Sequence, residues 1–320
     1  MAQSQAQTPP FPSATPTWHS KSYPSISPTK PSLSAKGKAV LITGGGTGIG
    51  AETARSFAAA GASNIALLGR RLQPLQDTKA EIEKNNSGTK VFVASADVSK
   101  KEEVDDAFAK FITSISPSTS GHGSSEGEPK IDILISNAAT TGPHEGVATV
   151  DPQPFISALN TNLLGALHVA QSFTKYAAEN AVVVNVSSNA AHLNFGPYFA
   201  SYSIAKWSVF RLWDMLGFEK KEQGWRIYHT QPGVVDTDMN REAGGVKALG
   251  YEDHVSLPGS FNVWLASPEA KFLNGKFLYT NWDVDELMAR EKGLGESAEL
   301  SIGLVGWPFA SGDWKADWDW

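Results

Sequence analysis

The chain has 320 residues, 41% of them hydrophobic, no cysteine and a formal net charge of -6, which is enough apolar material for one sizeable core. Without cysteine there is no disulfide, no thiolate nucleophile and no thiolate-bound zinc. No dense Lys/Arg block can track a phosphate backbone, and no apolar run reaches the roughly 18 to 20 residues that cross a bilayer. The expectation is therefore a soluble, cytoplasmic protein with neither nucleic acid nor membrane as partner.

Residues 1–36 are rich in Ser, Thr and Pro and contain no acidic residue. They lack the apolar centre of a signal peptide, and their prolines would break a transit-peptide helix. They read as a disordered or loosely packed arm, within which Trp18, Tyr23 and Ile26 are placed to pack along a domain surface. One domain is expected over 37–285, and residues 286–320 form an extension that carries Trp307, Trp314, Trp318 and Trp320.

From Lys38 strands alternate with amphipathic stretches. KAVLITG is a buried strand that runs into a glycine cluster, AETARSFAAAGA a helix of small residues, and NIALLGRR a second strand. VFVASADV is a third strand, KKEEVDDAFAKFITSI a helix, and residues 116–130 a polar, flexible insertion. IDILISNAA is a fourth strand, residues 156–180 one long helix, and AVVVNVSS a fifth strand. Then come a helix with Tyr202 and Lys206, the strand RIYHTQPG, a Gly-rich stretch over 239–260 suited to a mobile substrate lid, and the late strand KFLYTN. Near-continuous apolar strands separated by helices predict an α/β fold, a doubly wound parallel sheet in a single domain.

LITGGGTGIG follows a strand and opens a helix, the setting in which glycines let backbone amides approach a pyrophosphate at the helix amino end. It lacks the Gly-Lys-Ser/Thr ending of a P-loop, which disfavours ATP or GTP hydrolysis. Gly46, Gly48 and Ala51 fit the general G-x-G-x-x-G/A pattern, and Thr43, Gly44, Gly48 and Gly50 fit Thr-Gly-x-x-x-Gly-x-Gly. The second strand ends in Gly69, Arg70 and Arg71 with no carboxylate; arginine at that point accommodates a ribose 2'-phosphate, so NADP is favoured over NAD. The alternative is that the arginines are solvated helix-start residues.

Tyr202 and Lys206 are four apart and share one helix face. The ammonium would favour the phenolate and bring a pKa near ~10 toward the working range, making Tyr202 a candidate general acid/base. Ser188, or its neighbour Ser187, ends the preceding strand fourteen or fifteen residues earlier, where a short loop can return the chain over one substrate oxygen. The alternative for either hydroxyl is a cap of the following turn.

These motifs stand in one order: the glycine run, ADV with Asp97, SNAA with Asn137, NTNLLG with Asn162, VNVSS ending at Ser188, Tyr202-x-x-x-Lys206, and QPGVVDT from Gln231 to Thr237. Together they resemble the classical short-chain dehydrogenase/reductase family, over about three quarters of the chain, and the long arm with its Pro and Ser usage resembles fungal members, many of which serve secondary metabolism. The resemblance implies a Rossmann fold and an NADP(H)-dependent oxidoreductase that interconverts a ketone and a secondary alcohol. It implies catalytic roles for Asn162, Ser188, Tyr202 and Lys206, with Asn162 ordering a water in a proton relay and Lys206 also holding the nicotinamide ribose. It implies cofactor contacts from Thr43, Gly44, Gly46, Thr47, Gly48, Ile49, Gly50, Arg70, Arg71, Asp97, Val98, Asn137, Ala138, Tyr202, Lys206, Pro232, Gly233, Val235 and Thr237, no metal, a small carbonyl or alcohol substrate, and a homodimer or homotetramer. A redox-sensing regulator or a non-redox enzyme of the same fold, an isomerase or cyclase, are the alternatives.

The sequence departs from the family pattern at Ser136 and Ala139, in SNAAT, and at YTNWDVDEL, where many members have Asp-Gly-Gly. His192, Phe195, Tyr198 and Phe199 lie between Ser188 and Tyr202 and are candidates for a pocket that takes a bulky ketone, or for core or interface packing. His144, His168, His229 and His254 show no metal-ligand spacing.

Overall fold

The computed structural model describes residues 12–116, 129–194, 196–246 and 250–304. Seven strands, β1 (Ala39–Thr43), β2 (Asn64–Gly69), β3 (Lys90–Ser95), β4 (Ile131–Ser136), β5 (Ala177–Val186), β6 (Arg226–Gln231) and β7 (Phe277–Tyr279), form one sheet. All pair in parallel, in the order β3-β2-β1-β4-β5-β6-β7. Strand order reverses between β1 and β4, which opens the crevice where doubly wound sheets bind ligands.

Alternation along each strand feeds two cores. Val40, Ile42, Ile65, Leu67, Val182 and Val184 face one side, against α1 (Gly48–Ala59), α2 (Leu72–Asn85) and α8 (Ser256–Ala266), where Phe57, Ile82, Phe261 and Trp264 are buried. Leu41, Leu68, Leu134 and Val183 face the other, against α3 (Lys101–Ile115), α5 (Gly165–Tyr176) and α6 (Ala200–Glu219), with Phe108, Phe111, Phe173 and Trp213. Each such side chain contributes about 1.5–3 kcal/mol on burial.

Two expectations are corrected, that of one long helix and that of a lid over all of 239–260. Of the arm expected over 1–36, residues 12–36 are packed: Trp18, Ile26 and Leu33 are buried in the first core, and Trp18 bridges Trp282. Trp18 and Ile26 thus pack as their apolar character expects, and only residues 1–11 of the arm lie outside the described residues. The long helix is two helices: α4 (Pro152–Leu159) starts at the Asp151 cap, whose carboxylate accepts from the Gln153 amide at 2.9 Å. A π-helical turn, Asn160–Leu164, joins it to α5, which stops at Tyr176. Ala177–Asn180 then belong to β5, with Asn180 at φ 58; asparagine tolerates this left-handed conformation, and Ala and Glu only look helical locally.

The stretch 239–260 is not all lid either. Leu257, Pro258, Gly259 and Ser260 are buried in α8, where a Cβ on Gly259 would lie 2.9 Å from Glu52 Cγ and Ser56 Oγ. The amphipathic helix α2 was not foreseen. The insertion at 117–128, Phe195 and the tryptophans at 307, 314, 318 and 320 lie outside the described residues.

Candidate active site

The glycine loop is tied down from below. Thr43 Oγ1 accepts from the amides of Asn137 and Ala138, both at 3.0 Å, and Asn137 Nδ2 donates to the Thr43 carbonyl at 2.9 Å. These bonds fasten the end of β1 to the end of β4. Gly44 (φ 69) and Gly48 (φ 53) use left-handed backbone, and a Cβ on Gly50 would fall 2.2 Å from the Gly44 carbonyl oxygen. The loop therefore stays bare and close-packed, with α1 starting at Gly48.

Above it lies a cleft of about 780 Å³, lined by Gly44, Gly46, Thr47, Gly48 and Ile49, by Arg70 and Arg71, by Asp97 and Val98, and by Asn137 and Ala138. Tyr202, Lys206, Pro232 and Thr237 line its other end. Of the expected cofactor residues, Thr43, Gly50, Gly233 and Val235 do not line it: Thr43 and Gly50 support the loop, and Val235 is buried. Lining residues not expected from sequence include Ala139, Thr140, Thr161, Asp238 and Arg241; Ser187, the alternative to Ser188, lines it too.

Arg70 and Arg71 are exposed at the β2 end of the cleft. Arg71 Nη2 meets Asp238 Oδ2 at 3.2 Å, from α7 (Asp238–Glu242); an exposed pair of this kind is worth about 0–1 kcal/mol. Burial raises the Asp97 carboxyl, but bonds from Ser99 and the nearby Arg70 and Lys100 charges outweigh it and hold the group below its usual range. Asp97 Oδ1 accepts from the Ser99 amide at 2.9 Å and its hydroxyl at 2.7 Å.

At the other end, Ser188 lies beside Tyr202, close enough to pull on its phenol, and the Ser188 hydroxyl donates to Asn189 Oδ1 at 3.3 Å. Its hydroxyl also accepts from the Ala190 amide at 3.2 Å, so it caps the short turn Asn189–Ala191 as well. Lys206 is buried, its Nζ 5.6 Å from the Tyr202 ring centroid and donating to the Val186 carbonyl at 2.8 Å. Burial pushes the Lys206 pKa down to about 8. It pushes the Tyr202 phenol up to about 12, against the pull of Ser188. The expected lowering of the phenol by Lys206 is not what these contacts produce, because desolvation dominates and the ammonium is turned to the Val186 carbonyl.

Asn162 sits in the π-helical turn, 4% exposed. Its Nδ2 donates to the carbonyls of Thr140 and Ala158, both at 2.9 Å, and its Oδ1 accepts from the Thr140 amide at 3.0 Å. It thereby fixes Thr140 at the cleft. The Ser187 hydroxyl in the cleft is buried and has no partner among the described residues. Nearby, His192 is exposed and hydrogen-bonded to the Tyr279 hydroxyl at 3.0 Å, Tyr198 is 59% exposed, and Phe199 packs on His144.

The family model for short chain dehydrogenases matches residues 38–245. The chain belongs to the short-chain dehydrogenase/reductase family. It is 30% identical over 298 residues to a short chain dehydrogenase/reductase of Claviceps purpurea, covering 92% of this chain and 95% of that one. The short chain dehydrogenase/reductase AacuD of Aspergillus aculeatus is 29% identical, covering 91% and 96%. A short chain dehydrogenase from Burkholderia cenocepacia, solved in complex with NADP, shares the fold with a TM-score of 0.67 at 22% identity, covering 78% of this chain and 99% of that one.

Short-chain dehydrogenase/reductases are oxidoreductases that bind NAD(P), and the residues present fit such a group. The bare glycine cradle would be closed by side chains at Gly44, Gly48 or Gly50, and the unpartnered Ser187 hydroxyl faces the same cleft. Two arginines stand where the adenosine ribose of a dinucleotide fold is held.

Proposed function

We propose that the protein is an NADP(H)-dependent oxidoreductase that interconverts a ketone and a secondary alcohol. One observation carries the proposal: Tyr202, beside Ser188 and one helical turn from Lys206, lines the same cleft as the glycine loop and the two arginines. The cofactor, when bound, supplies or accepts the hydride.

Ser188 and Tyr202 hold the substrate oxygen between their hydroxyls. Tyr202, with its pKa at about 12, keeps its proton at neutral pH and releases it only as negative charge develops on that oxygen. Ser188 donates to the same oxyanion, and the Lys206 ammonium stabilises the phenolate left behind. Asn162, through its hold on Thr140, orders the water path that returns the proton. In the reverse direction Tyr202 first gives its proton to that water path, and the phenolate, stabilised by the Lys206 ammonium, then accepts the alcohol proton.

Arg70 and Arg71 favour NADP by pairing with its 2'-phosphate. The fungal relatives, and the position of His192, Tyr198 and Phe199 between Ser188 and Tyr202 in the chain, support a bulky carbonyl compound of secondary metabolism as substrate. Leu167, Ile204, Trp207 and Met215 are exposed on α5 and α6 beside a groove of about 840 Å³, which favours a homodimer or homotetramer built on these helices. Among the described residues no helix is long and apolar enough to cross a membrane, and a cytoplasmic location accords with this reading.

The test is a paired titration with NADPH and NADH, followed by cofactor oxidation against bulky and small ketones. Tight NADPH binding with turnover on a ketone supports the proposal. Binding without turnover on any ketone points instead to a redox sensor or a non-redox enzyme, and no binding of either nucleotide overturns the cofactor assignment.

A further inference from the structure

Outside the cleft, a buried carboxylate joins three distant segments. Asp253 is 2% exposed. Its Oδ2 accepts from the Val234 amide at 2.8 Å, and its own amide donates to the Val234 carbonyl at 2.8 Å. Its Oδ1 accepts from Asn281 Nδ2 at 2.8 Å. The same Asn281 nitrogen donates to the His19 carbonyl at 2.8 Å, and the His19 amide returns a bond of 2.8 Å to the Asn281 carbonyl. One residue on, the His254 amide donates to the Ser20 carbonyl at 2.7 Å. The chain before β1 thus reaches Val234 through two side chains.

Val234 lies in the turn that carries Pro232 and Thr237 into the cleft. Gly233 in this turn has φ +87, and a Cβ there would lie 2.7 Å from Asp253 Oδ2, so the carboxylate is packed against the backbone it binds. A carboxylate costs more to bury than an amide; what it gains is a charge-assisted bond to Val234, stronger than a neutral one. The strap is firmly held in turn. His19 Nε2 meets Asp283 Oδ2 at 2.8 Å and its ring stacks on Tyr23 at 3.5 Å between centroids. Tyr23 donates to the Trp282 carbonyl at 3.0 Å and accepts from the Val284 amide at 2.9 Å, while Thr17 binds Glu286.

We propose that Asp253 is a positioning residue for the nicotinamide end of the cleft, and that the strap over residues 17–23 holds it in place through Asn281. The inference rests on the cofactor reading above. It makes the segment before β1 part of the binding site without touching the ligand.

The test measures two affinities in each variant of the full chain: NADPH, which spans the cleft, and adenosine 2',5'-bisphosphate, which reaches only the arginine end. Asp253→Asn and Asn281→Ala are expected to weaken NADPH by about ten-fold or more, as for lost bonds to a charged group, with the bisphosphate unchanged. His19→Ala, which loosens the strap from outside, is expected to weaken NADPH alone by about two- to three-fold, and it carries the same test if the buried variants do not fold. Equal losses for both ligands, or no loss for either, overturn the inference. A wild-type chain that binds neither ligand overturns the cofactor reading itself.

Discussion

The two ends of the cleft are built differently. The arginine end comes from short contiguous stretches, the glycine run, LLGRR and ADV, whose backbone shape follows from local composition. The other end is assembled from α6, the end of β5, the turn after β6, Asp253, Asn281 and the strap near His19, joined by bonds that span up to 262 residues of sequence. The first end presents backbone and exposed charge. The second depends on buried polar groups, each held by another, where a single loss strands a partner.

This contrast predicts where damage falls. The largest effect is expected from Tyr202→Phe, which should lower kcat by about 10²–10⁴-fold while cofactor affinity stays near wild type; a parallel loss of affinity would show that the two ends are not separable. Gly50→Ala forces a Cβ to within 2.2 Å of the Gly44 carbonyl oxygen. It should cost about 1–3 kcal/mol in denaturant unfolding and weaken NADPH and NADH alike. Arg70→Ala with Arg71→Ala should weaken NADPH by about ten-fold and leave NADH unchanged, as measured by titration.

The pH response belongs to the buried end. Lys206 is held down to about 8 by desolvation, so kcat/KM for reduction should be flat below that pH and fall as the ammonium loses its proton, an inflection absent in Lys206→Met. Stability moves the other way. The unfolded lysine titrates near ~10.4, so between about 8 and that value the unfolded chain binds more protons. The contribution of Lys206 to stability therefore rises with pH across this window. The smallest effect is expected at the exposed Arg71–Asp238 pair: Asp238→Asn frees Arg71 and should tighten NADPH by no more than about three-fold.

The same contrast explains what could be read in advance. The parallel sheet was legible because apolar runs such as AVLIT and DILIS can only be buried strands between helices. Tyr202 and Lys206 were legible because helical spacing alone puts them on one face. The ordered strap was not, because its Ser, Thr and Pro content matches that of a disordered arm; its order comes from Ile26, Leu33 and Trp18 entering a core built by other segments. Asp253 carried no signal, since nothing near YEDHV shows that its carboxylate is buried beneath a distant turn. The raised Tyr202 pKa also escaped, because spacing reveals a neighbouring charge but not the burial that outweighs it.

The measurement that tests the central claim most directly is isotope transfer. NADPH carrying deuterium at the transferable position is incubated with the protein and a ketone that it turns over, and the product alcohol is examined by mass spectrometry and NMR. The account predicts one deuterium on the carbinol carbon with wild-type protein, and product formed about 10²–10⁴-fold more slowly with Tyr202→Phe. An alcohol without the label, or undiminished labelled product from Tyr202→Phe, would contradict it.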